Sequence, residues 1–594
     1  MKTPLFLSLL PLFLMSCGGP SGDKEKAHLK NNRVVDIELE VEEKGELDPI
    51  ANQGAIKGGS ISTWQGSFPK SLNMFLDYNR FSIQVCELLF EPMAELHSEE
   101  NRFIGVLADK WDVSEDQMQF TFHIHPKAKW SDGKDITAED VVFYYDTIMN
   151  PKNLTSLFRV HYKYIERPEA LDQKTVRVKA KTKHWSNFQT ATTLVALPKH
   201  DMEGKNFNKI NFDIPVVSGP YQIDKVQKGR SIALKRRGDW WGRVKKYSLG
   251  KYNFDHILFK SMDDQTKTLE YLKKGDLDLY PIYSSKIWAI QTDFPAVQKG
   301  WVVRQNIFNH EPKSFQGMAI NLRKDKFKDR RVRLALAHLL NRKLMNDKFM
   351  YNEYYLLNSY FPDLYPELLN PKTPLIQFDS DKARELFSQA GWKVNQMGKL
   401  EKDGQVFKIN FMHHSPDLRH INRYKEDLES VGIEVSIETL SYSTIQKRID
   451  NHDFDLHWRN WGAVRLRDPE ALWSSKEAHE VSTNNIAGLE NAEVDALIEK
   501  QKTEMDINKR NEILREIDAI LVKEIPYVLM WGAPSARLLY WNKFGTPKYV
   551  LDKFNQEEEV TTYWFVDPAK EKKLQQAIAA GQTLPKEPGK VIYP

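Results

Sequence analysis

The chain has only two cysteines in 594 residues, Cys17 and Cys86, so covalent cross-linking contributes little to whatever fold it adopts. Cys86 lies in the apolar, helix-like segment 84–90, where a buried and unreactive thiol is the expected state. Neither sign of charge dominates: 85 basic and 81 acidic side chains leave a net charge of +4. That balance excludes a nucleic-acid binder that works through a basic stripe. Past the N-terminus no apolar run approaches the length that spans a bilayer. There is no tandem repeat period. H-E-x-x-H, G-x-S-x-G and the phosphate-binding P-loop are all missing, which removes the commonest hydrolase and nucleotide-binding signatures.

Hydrophobic residues make up 41% of the chain and charged residues 28%, ordinary values for a globular protein with enough length for several domains. The N-terminus reads as an export signal. Lys2 precedes an apolar run from Leu5 to Met15, and Leu14-Met15-Ser16-Cys17 is similar to a bacterial lipobox. Residues 1–16 are then a lipoprotein signal peptide, with Cys17 carrying diacylglycerol; the other reading is an ordinary secretory signal with an incidental cysteine. Lipidation would leave Cys86 as the sole thiol. Residues 17–57, rich in Lys, Glu, Asp and Gly, read as a flexible tether, with a short strand allowed at 34–41.

From Asp109 to Asp146 the chain reads DKWDVSEDQMQFTFHIHPKAKWSDGKDITAEDVVFYYD. Phe120, Phe122 and Ile124 alternate with Thr121, His123 and His125, as in a half-buried strand. Ser131-Asp132-Gly133 supplies a turn, and Thr137 stands where it caps a helix with acids in its first turn. Further landmarks are Gly58–Trp64, the crossover Val217-Ser218-Gly219-Pro220-Tyr221, Gly238-Asp239-Trp240-Trp241-Gly242, and a helix over 263–278 closed by Gly275. A helix is expected over 328–345 with Arg330, Arg331, Arg333 and Arg342 on a solvated face. More helices are expected at 381–392, 491–500 and 513–521.

This order of segments resembles the family 5 extracellular solute-binding proteins, the peptide-binding receptors of ABC importers, and within them the YejA-like oligopeptide-binding subgroup. The subgroup likeness rests on 238–255, 316–333, 354–362 and 473–495. The resemblance implies an α/β, periplasmic binding protein-like fold of two lobes joined by a hinge, with an additional inserted domain. Lobe I is expected to be discontinuous (58–80, 215–315 and 531–566), the extra domain to span 81–214, lobe II 316–530, and 567–594 to form a C-terminal extension, packed on the surface or mobile.

The resemblance also implies an oligopeptide held in extended form in a closing cleft, and no catalytic activity. Expected partners are that peptide and an ABC permease in the inner membrane. The protein would be a monomer on the periplasmic face, touching the membrane through Cys17 alone and requiring no cofactor. The candidate ligand-binding residues are Trp64, Trp458, Trp461, Arg465, Arg467 and Asp468. In relatives that hold a free peptide N-terminus, an acid stands four residues before a proline. Counting back from Pro469 reaches Arg465 instead. Arg465 or Arg467 is therefore assigned to a ligand carboxylate and Asp468, or an acid from elsewhere, to the amine; alternatively these charges decorate a solvated loop. Each tryptophan is a groove wall or a core residue. His123 and His125 share a strand face, but without a third ligand they are not read as a metal site. A receptor for a metal chelate, opine or murein fragment is the second reading, and a periplasmic hydrolase the third.

Overall fold

The computed structural model describes residues 33–414 and 417–594; the signal segment and Cys17 lie outside them. Three sheets organise the chain. The largest has eight strands, in the order Lys590–Ile592, Val302–Phe308, Ala536–Trp541, Leu279–Pro281, Ser60–Gln65, His256–Ser261, Ser231–Arg236 and Tyr221–Gln227. A five-stranded sheet runs Glu434–Thr439, Lys408–His413, Leu456–Asn460, Gln316–Ile320 and Tyr527–Leu529. A four-stranded sheet contains Ala108–Val113, Gln119–Ile124, Thr175–Lys179 and Glu169–Ala170. Helices cover the faces, giving an α/β molecule of two lobes with a further sheet attached to the first.

The alternation at Gln119–Ile124 buries Phe120, Phe122 and Ile124. After the turn, the helix Ala138–Met149 begins at Thr137, whose N–H and hydroxyl both donate to the Asp140 carboxylate at 2.9 and 3.0 Å; such a cap stabilises a helix end by about 1 kcal/mol. The apolar faces of this unit and of the eight-stranded sheet share one continuous core. Gly219 has to be glycine, because a Cβ there would lie 2.6 Å from the Leu88 carbonyl. Arg237 secures the same crossover by donating to the carbonyls of Val217, Ser218 and Gly219.

Several expectations need correction. The helix expected over 328–345 is two helices, Arg330–His338 and Arg342–Phe349, with the Asn341 side chain accepting from the Leu344 N–H to start the second. Nor are its arginines all solvated. Arg333 is buried, donating to the carbonyls of Phe327, Lys328 and Glu524, and Arg342 is buried on four carbonyls. Lys590–Ile592 pairs in parallel with Val302–Phe308, so the C-terminal segment completes an edge of the large sheet.

Residues 33–57, whose composition marks a tether, are docked and form no strand at 34–41. Asp36 pairs with Arg236 and Arg243, Glu42 with His125, Glu46 with Arg102, and Asp48 with Lys251. Charge spaced along an extended segment, which reads as solvation, is here matched to Arg and Lys cations and to the His125 imidazole on the surface beneath.

The Asp48–Lys251 pair is the deepest of these contacts, 2.6 Å apart with both side chains at or below 5% exposure. Burial pushes the Asp48 carboxyl up, but the Lys251 ammonium and hydrogen bonds from Ile50 and Ser98 outweigh it and hold the group below the usual carboxylate range. A carboxyl depressed on folding adds stability that is complete above its unfolded pKa of about 3.9 and is lost as pH falls through the lower folded value. Asp48→Asn strands the Lys251 charge and should destabilise the fold by about 3 kcal/mol at pH 7. The gap to the parent protein should close as the pH drops below about 4, which thermal unfolding across pH will show.

Candidate ligand-binding cleft

The antiparallel partners Val302–Phe308 and Ala536–Trp541 of the large sheet continue into Gln316–Ile320 and Tyr527–Leu529 of the smaller one. Residues 309–315 and 530–535 therefore cross side by side between the lobes. A cavity of about 410 Å3 sits on this crossing. Lobe I contributes Ile282, Tyr283 and Arg537, lobe II contributes Tyr354, Tyr355 and 461–463, and the crossing segments contribute 311–316, 531–533 and Ser535. A second cavity of about 390 Å3 adjoins it, sharing Pro281, Tyr283 and Glu557 and extending to Trp64, Phe68 and Arg80.

Both signs of charge reach these cavities. Lys313 Nζ lies 2.5 Å from Glu311 Oε2, and the Gln556 amide donates to the same carboxylate. Arg537 is 5% exposed; its Nη2 donates to the Glu353 carbonyl at 3.2 Å, and its buried Nε, which makes no hydrogen bond among the described residues, stands 3.5 Å from Glu353 Oε2. In the adjoining cavity Arg80 pairs with Glu557 and Glu558, and the Tyr283 hydroxyl donates to Glu557. Burial and the neighbouring Glu557 carboxylate raise Glu558 above the ordinary range, with Arg80 opposing them. Burial likewise raises the Tyr283 phenol.

The lobe II wall presents backbone as well as side chains. Trp461 is fixed by its indole N–H on the Tyr527 hydroxyl at 3.1 Å and by Arg459 stacked 4.8 Å from its ring centre. Among the described residues, nothing accepts from the N–H groups of Gly462 and Ala463. A Cβ added at Gly462 would meet no atom within 4 Å. An open peptide edge thus borders the cavity.

The six expected ligand residues fall in different places. Trp461 lines the interlobe cavity and Trp64 the adjoining one. Trp64 is wedged against Tyr280 and Tyr283, with its indole donating to the Met262 carbonyl at 2.7 Å. Trp458 lies behind the wall, donating to Gln316 Oε1 and packed on Trp531 and His420. The loop charges are turned onto protein. Arg465 crosses to the other lobe, donating to the carbonyls of His97 and Glu100 and to Asn101 Oδ1, and its guanidinium stacks 3.8 Å from the centre of the Phe554 ring. Burial pushes it down to about 10. Arg467 pairs with Asp363, and Asp468 Oδ2 stands 3.6 Å from His184 Nε2. As placed here, Arg465 bridges one lobe to the other.

Glu42, Asp109 and His125 offer ligand atoms within 4.8 Å of one another, a grouping that needs the docked strap and so is not visible in the local sequence. The histidine is not disposed as a metal ligand. Its Nδ1 accepts from the Lys127 N–H at 3.1 Å, which places the proton of the neutral ring on Nε2, and Nε2 donates to Glu42 Oε1 at 2.7 Å.

Sequence reasoning missed Arg80, Glu311, Lys313, Arg537 and Glu557. They come from four separate stretches with no shared motif. The one local signal was the acidic run Glu557-Glu558-Glu559, which ends in a short helix facing Arg80.

Residues 102–481 match the family model for bacterial extracellular solute-binding proteins, family 5 middle. The chain is 26% identical over 543 residues to the probable peptide-binding protein YejA of Agrobacterium fabrum, covering 84% of this chain and 88% of that one. Its fold is similar to the oligopeptide-binding protein AppA of Bacillus subtilis in complex with a nonapeptide (TM-score 0.69, 20% identity, 86% of this chain and 99% of that one). It is also similar to NikZ of Campylobacter jejuni in complex with Ni(L-His) (TM-score 0.68, 19% identity, 85% and 99%). No helix among the described residues is long and apolar enough to cross a membrane. With its two α/β lobes, a cavity at their crossing and this match, the chain belongs to the family 5 extracellular solute-binding proteins of ABC importers, with YejA-type proteins among its relatives.

Proposed function

We propose that the protein binds oligopeptides between its lobes and, anchored through a lipid on Cys17, presents them as a monomer to an inner-membrane ABC permease. The observation that carries the reading is the unpaired Gly462–Ala463 backbone edge beside a cavity bearing both signs of charge. An extended peptide pairs with such an edge through main-chain hydrogen bonds that any sequence supplies. Its carboxylate finds the Arg537 guanidinium, which Glu353 approaches only to 3.5 Å, or the Lys313 ammonium, and its ammonium finds Glu557 and Glu558. Trp461 and Tyr354 give apolar walls that contact side chains without reading them closely.

The second reading is a compact non-peptide solute such as a metal chelate, which the modest 410 Å3 of the interlobe cavity would admit. A cargo of this kind would have to bring its own ligands, because no histidine among the described residues lines that cavity. Native mass spectrometry of the protein as purified separates the two. Peptides of mixed sequence, recovered intact, support the first reading. A single non-peptide mass supports the second, and cleaved peptide would point to a hydrolase.

Three variants probe the geometry. Trp461→Ala removes a cavity wall and should weaken peptide binding by about tenfold or more, equivalent to about 1.4 kcal/mol, in calorimetric titration. Arg537→Gln should cost a similar factor for peptides with a free C-terminus and little for their amides; equal losses for both would remove Arg537 from carboxylate recognition. Arg465→Ala should act differently, by loosening the closed arrangement. Small-angle scattering of the peptide-saturated variant should give a larger radius of gyration than the saturated parent, and an unchanged radius would show that Arg465 does not hold the lobes together.

A further inference from the structure

Lobe II holds a second cavity that the cleft does not use. It encloses about 830 Å3, twice the interlobe volume, between the helices Arg330–His338 and Ile507–Glu524 and the segment 357–376. It shares no lining residue with either cleft cavity. Leu334, Ile376 and Val522 supply apolar wall.

One full charge sits in that wall. Arg342 lines the cavity and is 5% exposed. Its Nη1 donates to the carbonyls of Leu357 at 2.6 Å, Leu529 at 3.1 Å and Met530 at 3.3 Å, and its Nη2 to that of Ile376 at 2.8 Å. Among the described residues no carboxylate pairs with it. Arg333, buried on the same stretch of chain, has Glu524 at 2.9 Å. The nearby buried carboxylate of Asp518 is taken up by Ser359, the Tyr360 N–H, Tyr365 and Asn370. Carbonyl dipoles offset only part of the cost of removing a guanidinium from water, and burial alone lowers Arg342 to about 10. The rim adds Arg330, Lys372, Arg515 and Lys523 against Glu512 and Glu516, and Glu512 is already held by Arg515 at 2.6 Å. Cavity, unbalanced cation and basic rim favour the same occupant.

We propose that the lobe II cavity is a second binding site, for a small amphiphilic anion: a carboxylate or phosphate headgroup on Arg342, with an aliphatic body along Leu334, Ile376 and Val522. A guanidinium gives an oxyanion paired hydrogen bonds and the counter-charge it lacks here, while the apolar wall gains from covering hydrocarbon. Within an importer, such a site would let an amphiphile bind independently of the peptide.

The test is calorimetric titration of the full mature protein with dodecanoate, dodecyl phosphate and dodecanol. Saturable one-to-one binding of either anion, at least about tenfold tighter than the alcohol, is expected, and the tighter anion identifies the headgroup. Ala519→Trp, an exposed helix position on the cavity, should fill the space and weaken that binding by at least about tenfold. Peptide affinity at the cleft should not change. Arg342→Gln should weaken the anion and spare the alcohol; should that variant not fold, the alcohol comparison and Ala519→Trp still decide. Absence of saturable anion binding, equal affinity for dodecanol, or binding indifferent to Ala519→Trp would overturn the proposal and leave Arg342 as a clamp on three chain segments.

Discussion

One antiparallel pairing runs through the whole molecule: Val302–Phe308 with Ala536–Trp541 in the large sheet, then Gln316–Ile320 with Tyr527–Leu529 in the small one. At its centre the lobe II end is tied by the Met530 N–H on the Gln316 carbonyl at 3.0 Å and the Gln316 amide on the Trp531 carbonyl at 2.8 Å. Between these ties and Ile307–Ala536, the crossing segments leave the ladder. That gap is where two rigid sheets can change their angle while both crossings stay intact. It is also the floor of the cavity, so anything bound there touches the hinge and both lobes at once. A ligand with contacts on both sides interacts more strongly with the closed arrangement than with an open one, the differential affinity that closure requires. Arg465 on the carbonyls of His97 and Glu100 adds to closure from outside the cavity.

Lobe I is stiffened from the opposite direction. The third sheet shares its core with the eight-stranded one, and the strap 33–57 is laid across the outside through ion pairs at Asp36, Glu46 and Asp48 and the Glu42–His125 hydrogen bond. Exposed pairs such as Glu46–Arg102 contribute little. The buried Asp48–Lys251 contact fixes the path of the strap, because neither charge can be left alone at that depth. The strap therefore meets the body of lobe I and not lobe II.

Local pattern carried the fold well where the physics is local. Alternation at 119–124, the Thr137–Asp140 cap and Gly275 with its φ of +78° each follow from neighbours a few residues away. Reading 328–345 as one helix failed because Asn341 captures a backbone N–H and restarts the helix, a competition that apolar spacing does not register. The cleft was legible only in part. Trp461 and Trp64 line it, whereas Arg465, read as a ligand group from its distance to Pro469, spends its donors on carbonyls more than 360 positions away in sequence. Long-range partners of that kind leave no trace in spacing. The same holds for the strap, whose acids look solvated until the cations beneath them are placed.

The central claim, that ligand pairs with the open peptide edge of lobe II above the crossing strands, is most directly tested by amide hydrogen exchange with and without a saturating peptide. The account predicts new protection at Gly462 and Ala463 together with slowed exchange through 309–315 and 530–535. Protection that appears elsewhere and leaves Gly462 and Ala463 exchanging as in the free protein would contradict it.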